Sequence, residues 1–276
     1  GALAVLWPEP RLQSGPRFSG RGWVPPRGVT ATATAAGVFV LALVVAAGLF
    51  GDADARSNAA PVTVYVLFWL VLPFLAAFAG NLWSALNPWA ALGRVLRLDG
   101  PPGPGTIGVF PAAAAFVSFT WLELVYPESG DPRTLGVAAL IYTVYLLVWA
   151  FRSGTDRAMA TADAFTVYHR VLSAIAPFGR DPEGRLRRRG WLRALPVLPQ
   201  WRGLALFVIA MIGTVTYDGL SATPWWNDTT FAIVGTAQTS MWFETLALVL
   251  VVGALWCVYL GACSWAARIA RDPDFG

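Results

Sequence analysis

The chain has no lysine, one histidine and two cysteines, and only 13% of its residues are charged. Each shortage excludes something. Without lysine there is no phosphate-cradling Gly-rich loop of the Walker type, which needs that ammonium. His169 is alone and no cysteine lies nearby in sequence, so the three-ligand zinc site of a typical hydrolase cannot be assembled. Cys257 and Cys263 sit six residues apart in one apolar run, where a helix turns them to different faces. They read as packing residues, neither a bridge nor a metal pair. A soluble domain carries about 25% charged residues. Half that density cannot coat a globule of this size, so much of the surface must face lipid.

What fills the chain instead is apolar: 56% hydrophobic residues and a mean hydropathy of +0.55. Crossing a bilayer takes about 20 helical residues. Six stretches meet this reading: 29–50, 61–85, 106–126, 134–151, 203–220 and 241–267. Pro73 predicts a kink inside the second. The fold class expected is therefore all-α, a polytopic transmembrane bundle forming one domain over 1–276.

Residues 1–7 read as the last turns of a further helix truncated upstream, so the chain is expected to be a fragment. The intervening loops supply an independent test. Arg11, Arg17, Arg21 and Arg27 precede the first span, and Arg94 and Arg97 follow the second. Ten arginines lie between the fourth and fifth spans, and Arg268 and Arg271 follow the sixth. The alternate loops carry Asp52, Asp54, Glu128, Asp131 and Asp228 with few arginines. The positive-inside rule then places both ends on the cytoplasmic side of the membrane. The net charge of +4 is explained by these loops, and nucleic acid is not an expected partner. The expected partner is the lipid bilayer, with room for a partner membrane subunit.

Two segments read as interfacial helices on the cytoplasmic side. Residues 87–98 open with Asn87-Pro88 and then mix leucine with arginine. Over 156–178, Phe165, Tyr168, Val171, Leu172, Ile175 and Phe178 recur at helical spacing, opposite Asp156, Asp163, Thr166, Arg170 and Ser173. Residues 156–202 together form that helix and a basic connector.

Three carboxylates fall near the outer ends of spans: Glu123, Asp218 and Glu244. Ionisable groups at membrane depth are costly and mark candidate sites. The competing reading leaves each of them at the headgroup level in water. Tyr217 and Asp218 lie in the most distinctive stretch, which ends in Thr223-Pro224-Trp225-Trp226. It reads either as a helix end with an interfacial tryptophan anchor or as a polar lip admitting a hydrophobic substrate. Asn81 and Ser84 share a helical face at the end of the second span, as packing glue or as a constriction in a transport path.

GNLWSALNPW at 80–89, the DAF-x-VY segment at 163–168, VLSAIAPFGRD at 171–181 and above all TVTYDGLSATPWW at 214–226 resemble a family of actinobacterial multi-pass membrane proteins, the fenitrothion hydrolase family. WPEPRLQ at 7–13 is similar to the tail of that family's first span. The resemblance implies a place in a bacterial plasma (inner) membrane, and phosphotriester hydrolysis with release of a phenol. It also implies that complete members continue into His-containing helices beyond the sixth span. It assigns no catalytic residue or cofactor, but carries Asp218 and Tyr217 across as site positions.

Two functions follow as expectations. One is a membrane hydrolase, or a subunit of one, with Asp218, Tyr217 and Glu123 catalytic and Asn81, Trp225 and Glu244 contacting a small hydrophobic substrate. The other is a permease or transport-complex subunit with a polar path lined by the carboxylates. On the first reading Asp218→Asn abolishes hydrolysis while membrane insertion is unchanged. Unaltered turnover in the purified variant removes Asp218 from any mechanism.

Overall fold

The structure, a computed structural model, describes residues 15–101, 105–234 and 237–269. The truncated helix expected over 1–7 lies outside the described residues. A short strand, β1 (Ser19–Trp23), precedes the long helices α1 (Arg27–Phe50) and α2 (Ala59–Ala79). Two short helices follow, α3 (Trp83–Leu86) and α4 (Pro88–Val95). Next come α5 (Phe110–Leu124), α6 (Pro132–Ser153) and a second short pair, α7 (Thr155–Thr161) and α8 (Ala164–Ser173). Strands β2 (Phe178–Arg180) and β3 (Leu186–Arg188) lead to α9 (Leu204–Ser221), α10 (Pro224–Val234) and α11 (Ala237–Ile269).

Among the described residues, five helices are long and apolar enough to cross a membrane: α1, α2, α6, α9 and Met241–Ile269 within α11. Their outward surfaces carry Phe39, Leu70, Phe74, Ile141 and Val215, a surface suited to hydrocarbon. The segment read as a span over 106–126 is a shorter helix, α5, of 15 residues. Gly108, at a φ of 67° that favours glycine, lies against the Arg202 carbonyl and delays the helix start until Phe110. In α2, Val62–Val71 winds as a π-helix, and the Leu72 N–H reaches the Leu67 carbonyl. Pro73 follows directly. Its ring would strike the carbonyl four residues back, and the wider turn relieves that clash.

The short pairs depart most from expectation. α3 and α4 form a hairpin that enters the bundle, and α7 and α8 form another. The Leu86 carbonyl lies so close to Gly37, ten residues along α1, that an added Cβ would collide with it. Thr34 Oγ1 also donates to the Ala85 carbonyl at 2.9 Å. At 1.5 Å rise per residue, the first hairpin's tip is therefore about 15 Å along α1 from its Arg27 end. Tyr142, midway along α6, bonds the tip of the second. The helix expected over 87–98 is thus an inward-packed piece with Trp89, Ala90, Ala91 and Gly93 buried. The amphipathic helix expected over 156–178 is broken at Ala162-Asp163, and both of its faces are covered: Asp163, Val167 and His169 are all buried.

The basic connector adds a three-stranded sheet, order β1-β3-β2, to an otherwise helical protein. Its hairpin turns on Asp181-Pro182-Glu183-Gly184: the Asp181 carboxylate accepts from the Arg185 N–H, and Gly184 takes a φ of 78°.

Gly37→Ala is expected to destabilise the bundle by about 2 kcal/mol or more, because the obstructing atom is backbone and cannot rotate away. A thermal-unfolding midpoint in detergent equal to that of the native chain would show the hairpin to lie elsewhere.

Candidate functional site

Each hairpin turns over a residue that caps the returning helix. Asn87 Oδ1 accepts from the Ala90 N–H at 3.0 Å, with Pro88 at the first helical position. Asp163 Oδ1 accepts from the Phe165 N–H at 3.0 Å. The two caps meet. Asn87 Nδ2 donates to Asp163 Oδ2 at 2.8 Å and to Thr166 Oγ1 at 3.0 Å. Thr166 Oγ1 donates to Asp163 Oδ2 at 2.6 Å, and the Tyr142 hydroxyl donates to Asp163 Oδ1 at 2.9 Å. That hydroxyl in turn accepts from the Ala164 N–H at 3.0 Å.

Asp163 has no exposed surface, yet both its oxygens are filled by directed donors. The N-termini of α4 and α8 both converge on this one carboxylate, whose charge their dipoles favour. His169 lies nearly two turns further along α8. Its Nδ1 pairs with the Phe165 carbonyl at 2.8 Å, and its ring stacks on Trp83 at 5.4 Å.

Directly against this junction lies a cavity of about 880 Å³ between α1, α2, α5 and α6. Pro88, Trp89, Phe165 and the Tyr142 ring form one wall. Alanines at 114, 115, 138 and 139 make the room, and Ser118, Thr63, Tyr142 and Tyr145 bring hydroxyls. The cavity reaches the flank of the bundle, where its lining residues Ile141 and Val249 are 64% and 57% exposed. No Asp, Glu or His is among its described lining residues.

The expected site residues lie elsewhere. Glu244 is a second centre: it accepts from the Tyr217 hydroxyl and from Trp226 Nε1 at 3.1 Å, tying α9 and α10 to α11. Tyr217 is fully buried there. Asp218, one residue on, is exposed, and Trp225 is 63% exposed beside its buried neighbour Trp226. Glu123 is half-buried and near enough to Asp218 for their charges to repel. Asn81 lies just before α3, its Oδ1 accepting from the Ser84 N–H at 3.1 Å. The structure therefore joins Tyr217 to Glu244, keeps Asn81 apart from the carboxylates, and puts none of the six on the cavity wall.

No family model, curated protein or solved structure matches the chain. The function must be argued from the geometry.

Sequence reading assigned Asn87 and Asp163 to interfacial helices and so missed their meeting. The available signal was capping chemistry inside uncharged surroundings: Asn-Pro ahead of WAALG, and Asp163 flanked by TA and AF. Among the described residues no group of three or more His, Cys, Asp or Glu is placed to hold a metal.

The contact predicts a reciprocal rescue. Asn87→Asp opposes two carboxylates and Asp163→Asn opposes two amide groups, so each is expected to lower stability by about 2–4 kcal/mol. Combining them re-forms an Asn–Asp pair and should recover at least half of the larger loss. Strictly additive unfolding free energies would show that the two side chains do not interact.

Proposed function

We propose that the chain is a six-span protein of a bacterial plasma membrane, with α5 as the short sixth span and the arginine-rich end in the cytoplasm. We further propose that it takes an uncharged, apolar small molecule from the lipid and holds it at mid-depth, as a permease or transport-complex subunit does. The arginine alternation supports the topology. The observation that carries the function is the cavity of about 880 Å³, open on the bundle's flank and walled in part by Pro88, Trp89 and Phe165 from the first turns of two broken helices. Helices broken at mid-depth are what membrane carriers use to place polar groups against a substrate. An interior of this size and apolar lining matches a drug-sized ligand.

Phosphotriester hydrolysis, the reaction the family resemblance implies, needs a nucleophile or general base within reach of the bound ester. No Asp, Glu or His is among the cavity's described lining residues, and the Tyr142 hydroxyl is already bonded to Asp163 and to the Ala164 N–H behind the wall. Tyr217 and Glu244 are occupied with each other and with Trp226. Transport is thus the better-supported reading.

The test is labelling of the purified full chain with an apolar diazirine, followed by peptide mapping. Labels should concentrate on peptides from α5 and α6 facing the cavity. Ala139→Trp, which fills the space with an indole, should reduce that labelling about tenfold, corresponding to about 1.4 kcal/mol. Even labelling of every lipid-facing helix, unchanged by the substitution, would sink the reading. Release of nitrophenol from a nitrophenyl phosphotriester by the same preparation would put hydrolysis in its place.

A further inference from the structure

The three-stranded sheet is not needed to close the bundle, and its composition is unusual. Residues 178–189 hold five arginines against Asp181 and Glu183. Asp181 is consumed internally: it is buried, accepts from the Arg185 N–H at 2.8 Å, and pairs with Arg187 at 3.6 Å. Arg187 is further held by the Gly20 carbonyl at 2.9 Å, and Arg189 by the Ala176 carbonyl at 3.2 Å. These contacts commit Arg187 and Arg189 to the sheet's own architecture, and exposed Arg180 spends one guanidinium N–H on the Gly184 carbonyl at 2.9 Å.

Strand register sorts the remainder. Residues paired across a sheet share a face. Phe178, Arg188 and Ser19 form one row, and Arg180, Leu186 and Trp23 form the next. Alternation along β2 and β3 puts both rows on the same side. That side therefore interleaves Arg180 and Arg188, both exposed, with Phe178 and Trp23, 41% and 51% exposed. Trp191, 48% exposed, extends the apolar part and meets Phe78 of α2 edge-on at 5.4 Å. The Phe178 carbonyl lies against Gly80, where α2 ends. The face thus stands beside the Gly80 end of a long apolar helix, next to its exposed aromatic residue Phe78.

We infer that this sheet face binds anionic phospholipid headgroups of the cytoplasmic leaflet, with Arg180 and Arg188 on the phosphates and Trp23 and Phe178 set into the adjoining acyl layer. The guanidinium fork suits phosphate oxygens, and aromatic rings favour the headgroup boundary. Glu183, at the hairpin tip, is the one exposed acid within 178–189 and lies outside both rows. The inference rests on the membrane reading above, though not on the transport reading.

The experiment uses the purified full chain in a neutral detergent, with native mass spectrometry after addition of phosphatidylglycerol or phosphatidylcholine. Phosphatidylglycerol should be retained preferentially. The exposed pair Arg180→Gln with Arg188→Gln should cut that preference on the order of tenfold, because each arginine near a charged headgroup contributes several-fold to affinity. Trp23→Ala should weaken retention of both lipids alike. Equal retention of the two lipids by the native chain, or a preference unchanged in the double variant, overturns the inference. Inorganic phosphate competing as well as phosphatidylglycerol would make this a free-anion site and overturn it too. Release of the native chain from cell membranes by alkaline carbonate would instead refute the membrane reading beneath it.

Discussion

A helix that begins inside an apolar bundle exposes four backbone N–H groups where no water can satisfy them. This protein does so twice, at Pro88 and at Ala164, and answers with one pair of side chains. Asn87 and Asp163 each cap their own helix and then bond each other. The Asp163 carboxylate lies between two helix N-termini, whose dipoles and directed donors favour its charged form. The rest of the interior is arranged around this bond. Gly37 gives the first hairpin passage against α1, and the hydroxyls of Tyr142 and Thr166 fill the remaining oxygen sites of Asp163.

The cavity follows from the same arrangement. Short hairpins occupy only part of the depth of the bundle, so the space beyond their tips is left to long helices alone. Where those helices face each other with alanine at 114, 115, 138 and 139, nothing fills the gap. The polar junction and the apolar chamber are therefore neighbours by construction, separated by the thickness of the Trp89, Phe165 and Tyr142 rings. The acidic end of the bundle has a different character. There Tyr217, Trp226 and Glu244 lock α9, α10 and α11 together, while Asp218 faces outward.

The long helices were legible because hydropathy averaged over a span-length window is insensitive to single residues. The runs at 29–50 and 134–151 match helices Arg27–Phe50 and Pro132–Ser153 to within two residues at each end. Reading 61–85 as one span failed at Gly80, whose φ of 96° ends the helix, since glycine conformation does not register in hydropathy. The hairpins were hidden for a related reason. Arg157 and Arg170 flank Asp163 in sequence, and the averaged polarity of that stretch is that of a surface helix. In three dimensions a break at Ala162 turns the segment back, so Asp163 is fully buried at the tip while Arg170, seven residues on, lies over the Trp201 ring. Of the site residues picked from sequence, Tyr217 and Glu244 do meet. The pair that joins the two hairpins was visible only as two helix starts.

Tyr142 has two allegiances: its ring is part of the cavity wall, and its hydroxyl holds Asp163 and the first N–H of α8. Any guest that tilts the ring must stretch the bonds that keep the hairpins together. Linkage then runs in both directions, because a guest that favours one arrangement of the hairpins is itself favoured by whatever stabilises that arrangement. On the proposed function, occupancy of the chamber and integrity of the junction would be linked through one phenol.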